Sequence, residues 1–391
     1  MSGASARRGV VLLGATGSVG ASSADVLEAH PERFVTRAVA ALRRGPELLA
    51  VARRLGARVA VLVDEQAAAG ARALLRPGDP ELLAGEAALL DLVRAPGTDI
   101  VVQAITGAAG LAASVEAARH GKRLALANKE SLVVAGPLLM QVARAHGAEI
   151  VPVDSEHSAL FQCLMAGRRD EVRRLILTAS GGPFRGRAAA DLVRVTPAEA
   201  LKHPTWQMGP RITVDSATLM NKALEVIEAR WLFDVPPERI EVVVHPQSIV
   251  HSMVEFEDGS VVAQMSKPDM RGPVRYALGF PERLPAPGTR FDVRDYARLT
   301  FEAPDREAFP ALGLGFEAAR RGGTAGAALN GADEVAVERF LAGEVAFPQI
   351  AAAAAAALRQ HPFEAQPGLE QLAEADRWAR ACARAAHAPT A

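Results

Sequence analysis

Between Val10 and Val153 the chain alternates short apolar runs, rich in β-branched residues, with longer stretches of Ala, Leu and Arg of helical character. The runs "VVLLG", "FVTRAVA", "RVAVLV", "DIVVQAI", "RLALA" and "EIVPV" are the predicted strands. They are almost continuously apolar, as strands buried on both faces are. Strands alternating with helices imply a parallel sheet covered on both sides, so residues 1–150 are predicted to form a doubly wound, Rossmann-like α/β domain.

After Val153 the pattern changes. "RRLILTASGGPF" reads as a strand entering a Gly-rich turn, and "TPAE" (Thr196–Glu199) supplies an N-cap, a Pro at N1 and a capping-box Glu. Leu219, Ala223, Leu224, Ile227 and Trp231 recur at helical spacing and predict a helix from about Ala217 to Phe233. "IEVVVHPQSIVHSMVEFEDGSVVAQMS" holds β-runs joined at Asp258-Gly259, a two-residue hairpin signal. Residues 151–285 are therefore expected to form a central α+β domain. Prolines 281, 285, 287, 304 and 310, with little periodicity between them, predict a linker over 286–309. The segments "ALGLGFEAARR", "AGAALNGADEVAVERFLAG", "FPQIAAAAAAALRQ" and "GLEQLAEADRWARACARAAHA" predict a C-terminal helical bundle over 310–391.

Composition narrows the function classes. With 44 Lys plus Arg against 45 Asp plus Glu in 391 residues, no global basic field exists to hold nucleic acid or an anionic membrane, so any phosphate must be met locally. The apolar run Val10–Leu13 is too short for a signal peptide, and Ile350–Leu358 is nearly all alanine and short of a membrane span; a cytoplasmic protein is expected. Cys163 and Cys382 form no CxxC or other metal spacing and read as small buried hydrophobes of a reduced protein.

"VVLLGATGSVGASSADVL" is a strand, a loop with Gly14, Gly17 and Gly20, and a helix. Glycines there permit a tight turn and close approach of backbone to a pyrophosphate, while the helix N-terminus offers free N–H groups. No Asp or Glu occurs between Phe34 and Pro46, where an NAD site would place an acid; Arg43 and Arg44 do, which favours the 2′-phosphate of NADPH. The plainer alternative is a pair of solvated loop arginines.

"EIVPVDSEHSALFQ" sets Asp154 and Glu156 around Ser155 directly after a strand. In an extended chain residues i and i+2 share a face, so the two acids would repel unless a cation lay between them. Asn128, Lys129 and Glu130 follow a strand end, where open α/β sheets bind ligands. Asn221 and Glu225 are spaced i, i+4 on one helix face with Lys222 nearby, and His203, Trp206 and Met208 lie in a Pro- and Gly-flanked loop able to close over a site. Taken singly, Lys222 with Glu225 is an ordinary ion pair and Trp206 a core residue. If Asp154, Glu156 and Glu225 converge, their oxygens suit Mg²⁺ or Mn²⁺. Zinc is the competing cation, but His245 and His251 lack an HExxH pattern or paired cysteines and are expected to be structural.

Together "GATGSVG", "LANKESLV", "PVDSEHSALFQ", "ASGGPF", "HPTWQMGPRITVDSATLMNKALEVIEARWLF", "HPQSIVHSMV" and "PDMRGP" resemble the 1-deoxy-D-xylulose 5-phosphate reductoisomerase family, in order and over nearly the whole chain. The resemblance implies the committed step of the methylerythritol phosphate route to isoprenoids: isomerisation of the sugar phosphate by retro-aldol and aldol steps, then NADPH-dependent reduction to 2-C-methyl-D-erythritol 4-phosphate. By matched position it implies Asp154, Glu156 and Glu225 as ligands of Mg²⁺ or Mn²⁺, with Co²⁺ also accommodated. All three then belong to the reacting centre, together with Lys129, which assists proton movement or acts electrostatically. It implies Ser155 and Lys129 as substrate contacts, and Ser180, His203, Ser216, Asn221 and Lys222 as the phosphate pocket. Trp206 and Met208 match a flap and Met270 another wall. Thr16, Gly17, Ser18, Val19, Asn128, Glu130 and Gly209 match cofactor contacts. Where family members carry Gly-Lys/Arg-Asn/Ser after the second strand this chain has "ALRRGPE", so Arg43 or Arg44 replaces the basic residue. A homodimer is implied too, the Asp258-Gly259 hairpin offering a sheet edge. Two rivals remain at this point: a semialdehyde dehydrogenase-like NADP oxidoreductase, which shares the glycine turn but needs a cysteine nucleophile, and a non-catalytic NADPH-sensing regulator.

Overall fold

In the computed structural model, which describes residues 7–286 and 292–386, the chain divides into two compact units. The first comprises Met1–Ser131, Leu139–Ser158 and Asp269–Pro287, and the second Leu132–Leu138, Ala159–Pro268 and Gly288–Ala391.

The first unit is built on seven strands: β1 (Arg8–Leu13), β2 (Phe34–Ala41), β3 (Val59–Leu62), β4 (Glu81–Ala84), β5 (Ile100–Gln103), β6 (Arg123–Leu126) and β7 (Glu149–Pro152). All pair in parallel, in the order β4-β3-β2-β1-β5-β6-β7. The order reverses direction between β1 and β5, which makes that gap the topological switch point where such sheets take ligands. The crossovers are α1 (Ser18–Ala29), α2 (Gly45–Leu55), α3 (Glu65–Arg72), α4 (Gly85–Arg94), α5 (Leu111–Arg119) and α6 (Glu130–His146). Helices on both faces explain why Val10–Leu13, Ile100–Gln103 and Arg123–Leu126 are buried at every position. The six predicted strands are present. The seventh, β4, reads "ELLA": an edge strand with an acid and no β-branched residue carries no pattern to find.

The second unit contains a four-stranded sheet of β8 (Val172–Ala179), β9 (Ile240–Val244), β10 (Val250–Phe256) and β11 (Val261–Met265), in the order β11-β10-β8-β9. The predicted hairpin is β10–β11, antiparallel, with Gly259 at φ +83° and Asp258 accepting the Ser260 N–H at 2.8 Å. β8 and β9 pair in parallel. The backbone of Glu302 bonds that of Val244 at the end of β9, so part of the expected linker is tied down; residues 287–291 of it lie outside the described residues.

α7 (Ser155–Cys163) leads out of β7, and α8 (Pro197–Ala200) carries the predicted capping box between Thr196 and Glu199. The helix expected over 217–233 is two helices, α9 (Pro210–Thr218) and α10 (Met220–Leu232). Leu219 between them is left-handed, φ 61°, a conformation that costs a non-glycine residue about 1 kcal/mol or more. Burial of Leu219 and a bond from Met220 N–H to Thr218 Oγ1 hold the break, which hydrophobic spacing alone does not reveal. α11 (Arg271–Gly279) returns to the first unit, packing on α1, β6 and β7. The C-terminal bundle is α12 (Ala311–Arg321), α13 (Ala325–Leu341), α14 (Phe347–Gln360) and α15 (Leu369–Ala385). Its core of Ala328, Ala332, Val335, Ala357, Ala379 and Ala383, against Trp378, takes Ala357 from the alanine tract, and its small side chains let helices approach closely. Among the described residues no helix is long and apolar enough to cross a membrane.

Candidate functional site

In the first unit the glycine loop lies at the switch point. A Cβ on Gly14 (φ +80°) would stand 2.3 Å from the Ala104 carbonyl oxygen, so the loops after β1 and β5 meet backbone to backbone. A Cβ on Gly20 would stand 2.3 Å from the Gly14 oxygen, so α1 packs directly on the turn. Gly17 differs: its Cβ would meet nothing nearer than 3.4 Å, and its φ of −83° is open to any residue. Among the described residues nothing requires glycine there. It caps α1, whose first turn has neither a capping side chain nor an acid, leaving the N–H groups of Ser18 and Val19 for an external acceptor. Thr16 is half-buried beside them.

The two candidate arginines differ in their surroundings. Arg43 Nε donates to Asp64 at 2.7 Å, and Asp64 also caps α3. Arg44, exposed at the start of α2, has no side-chain hydrogen bond or ion pair among the described residues.

At the end of β6, buried Asn128 donates to the carbonyls of Ile105 (2.7 Å) and Gly107 (2.9 Å) and to Glu130 (2.9 Å), fixing the loop after β5. Lys129 follows, with its Nζ 2.8 Å from Oδ2 of Asp154. β7 ends at Pro152 and the chain turns into α7, so Asp154 and Glu156 do not sit along an extended strand as the sequence suggested. Asp154 precedes the helix and accepts the Glu156 N–H at 3.2 Å, while Glu156 lies in the first turn, bonded by Ser155 Oγ. Their repulsion is relieved by the helix N-terminus, by Lys129 and by His157, whose Nδ1 is 3.1 Å from Asp154 Oδ1. Burial pushes the Asp154 carboxyl up, but the Lys129 ammonium and then His157 outweigh it and hold the group well below the usual carboxylate range. His157 was not singled out from sequence; its i, i+3 spacing from Asp154 was the available signal. Met270 stands at the N-terminus of α11.

In the second unit the "SGG" turn after β8 lies against α9. A Cβ on Gly182 (φ +66°) would come 2.7 Å from the Ser216 carbonyl, which places Ser180 and Ser216 on neighbouring segments. His203 Nε2 is 2.9 Å from Ser180 Oγ. Its Nδ1 accepts the N–H groups of Thr205 (3.1 Å) and Trp206 (2.9 Å), so Nε2 carries the proton and donates to the serine. Burial lowers the imidazole's pKa, keeping it neutral. The same loop brings Trp206 over His251, ring centroids 6.3 Å apart, continues through Met208, and ends at Gly209, which caps α9.

On α10, Glu225 is 1% exposed and paired through both oxygens: Asn221 Nδ2 donates to Oε1 at 2.7 Å and Lys222 bonds Oε2. Asn221, Lys222 and Glu225 thus form one buried group rather than a surface pair. His245 is structural, as expected: Nδ1 donates to Thr300 O at 2.9 Å and Nε2 accepts the Ile249 and Val250 N–H groups. Cys163 is buried and its thiol is pushed up to about 11 by burial, the reverse of what a cysteine nucleophile needs.

Profiles of known families match most of the chain: 1-deoxy-D-xylulose 5-phosphate reductoisomerase over residues 10–136, its C-terminal domain over 150–233, and the DXP reductoisomerase C-terminal domain over 265–382. The chain is 50% identical over 380 residues to 1-deoxy-D-xylulose 5-phosphate reductoisomerase from Burkholderia cenocepacia, covering 96% of each chain. It is 51% identical over 375 residues to the Burkholderia multivorans protein, covering 95% of this chain and 94% of that one. Among solved structures it resembles the Zymomonas mobilis enzyme in complex with NADPH, at 43% identity and a TM-score of 0.91, covering 97% of this chain and 98% of that one. It also resembles a DOX-P reductoisomerase in complex with NADPH, fosmidomycin and magnesium, at 39% identity, TM-score 0.90 and the same coverage.

Proposed function

The chain belongs to the 1-deoxy-D-xylulose 5-phosphate reductoisomerase family, and from that premise we propose which of its residues carry the reaction. It converts 1-deoxy-D-xylulose 5-phosphate to 2-C-methyl-D-erythritol 4-phosphate, in the methylerythritol phosphate route to isoprenoid precursors, using NADPH and a divalent metal.

The observation that carries the assignment of residues is the state of two carboxylates. Asp154 is held anionic against Lys129, and Glu225 is bonded by Lys222 and Asn221. With Glu156 they supply hard oxygen donors, which fit Mg²⁺ or Mn²⁺, and Co²⁺ as well. Both ring nitrogens of His245 are occupied by backbone, which removes it as a zinc ligand, while His157 lies beside Asp154. When bound, the ion would act as a Lewis acid on neighbouring substrate oxygens, and NADPH would supply the hydride.

The remaining roles belong to side chains. Lys129 keeps Asp154 ionised and offers a proton or a positive charge to the reacting oxygens, beside the Ser155 hydroxyl. Ser180 and Ser216, with Asn221, Lys222 and the Nε2–H of His203, present donors of the kind a phosphate requires. Trp206 and Met208 would cover the substrate and exclude water, with Met270 as a further wall. Gly17 and the first turn of α1, through Thr16, Ser18 and Val19, would receive the NADPH pyrophosphate. Asn128, Glu130 and Gly209 would complete the cofactor contacts, and Arg43 or Arg44 would read the 2′-phosphate. In this reading residues 1–150 bind NADPH, 151–285 carry catalysis and dimerisation, 286–309 connect them to the helical domain of 310–391, and the protein works as a cytoplasmic homodimer.

The test is NADPH consumption with 1-deoxy-D-xylulose 5-phosphate, with and without Mg²⁺, for the protein and for Glu225→Gln. The substitution should lower turnover by roughly a hundredfold or more while NADPH affinity holds. Unaltered turnover at saturating Mg²⁺ would remove Glu225 from the ligand set.

A further inference from the structure

The strands of the first unit's parallel sheet all run the same way, so their N-terminal ends gather at the pole away from the glycine loop, Lys129 and Asp154. At that pole, across β1, β5, β6 and β7, opens a cleft of about 520 Å³. Its charged lining includes Arg7 and Arg8 at the entry to β1, Lys122 and Arg123 at the entry to β6, Asp99 before β5 and Glu149 on β7. Four permanent cations therefore face two carboxylates.

Both carboxylates are already engaged. Asp99 accepts the Gly9 N–H at 2.6 Å, and Glu149 accepts from Arg123 Nε at 2.5 Å. Neither the Arg8 guanidinium nor the Lys122 ammonium has a hydrogen bond or ion pair among the described residues. Arg8 is nonetheless half-buried, and burial, followed by the like charge of Arg123, pulls its pKa below its ordinary value against the opposing pull of Asp99 and Glu149. Withdrawing a guanidinium from water beside a second guanidinium costs free energy that an anion would return. Arginine pairs with a nearby lysine favour phosphate oxygens, which the guanidinium meets bidentately, and the local excess of positive charge calls for at least a dianion. The cleft's volume lies in the range of small-ligand sites and exceeds what one phosphate fills.

We propose that this cleft binds a small diphosphate-bearing anion, at the opposite end of the sheet from the nucleotide site. Inorganic pyrophosphate is the probe, titrated calorimetrically into the NADPH-saturated protein without divalent metal, with sulfate at equal ionic strength as a second arm. Saturable binding with a dissociation constant of roughly 1 mM or tighter is expected for pyrophosphate and not for sulfate. Lys122→Glu and Arg8→Gln should each weaken it about tenfold or more at unchanged NADPH affinity, whereas Lys222→Gln should leave it intact. No saturable heat, equal heat with sulfate, indifference to Lys122→Glu, or loss with Lys222→Gln alone would each overturn the site. Should Arg8→Gln also lose NADPH affinity, Lys122→Glu, in the connection between α5 and β6, decides.

Discussion

The ammonium of Lys129 lies 2.8 Å from Oδ2 of Asp154, with 8% and 12% of the two side chains exposed. Removing one partner of so enclosed a pair strands the other's charge, at a cost of about 3 kcal/mol. In Lys129→Met the Asp154 carboxyl should therefore titrate higher than in the unaltered protein. The acid limb of the pH–rate profile is expected to move to higher pH, alongside a large loss in turnover; a limb that stays put would show that Asp154 owes its ionisation to other groups.

Gly17, unlike Gly14 and Gly20 in the same loop, has room around it. Gly17→Ala should leave the melting temperature nearly unchanged, because the added methyl meets nothing closer than 3.4 Å, yet weaken NADPH binding roughly tenfold or more in a fluorescence titration. Gly20→Ala makes the contrast: its methyl would stand 2.3 Å from the Gly14 oxygen and should lower stability directly.

His203 organises the loop carrying Trp206 only while its Nδ1 is unprotonated. Its pKa in the folded protein lies below the ordinary 6.5, so the folded state binds fewer protons than the unfolded chain as pH falls past that value. The loop's contribution to stability is thus fully present above 6.5 and is lost on acidification through the lower, folded value. The emission difference between the protein and Trp206→Phe should change over that acidic window, and His203→Asn should flatten the change. A difference that stays constant on acidification until the whole protein unfolds would contradict this role.

Asp333, fully buried on α13 with Arg211, Asp215 and Glu334 around it, is pushed up to about 6, chiefly by burial. An acid with a raised folded pKa contributes stability while protonated, and that contribution is lost as pH rises through about 6. At pH 8 its ionised form costs about 3 kcal/mol at most, and about half of that is already incurred at pH 5 because the loss begins at the unfolded value of about 4, so Asp333→Asn should raise the melting temperature at pH 8 and have much less effect at about pH 4. Equal shifts at both pH values would mean that the substitution acts through packing instead.

How much of this was legible beforehand depended on what each pattern encodes. Runs such as "VVLLG" and "RLALA" revealed their strands because both faces are buried, whereas "ELLA" at the sheet edge gave no such signal. Periodicity placed Glu225 with Asn221 and Lys222 but carried the helix across Leu219, since a single left-handed residue leaves hydrophobic spacing intact. Adjacency in sequence marked Asp154 and Glu156 as a pair but misjudged their geometry, because the strand stops at Pro152 and the helix begins at Ser155. Arg211 and Asp333 are 122 positions apart, and only tertiary packing could bring them together.

Because α11 packs on α1, β6 and β7, the first unit is not a contiguous stretch of sequence. A ribosome making this chain would release the seven-stranded sheet early, yet the helix that covers part of it emerges more than a hundred residues after β7. Until then that face would stay bare to solvent and chaperones, and a fragment stopped near residue 150 should be prone to aggregate.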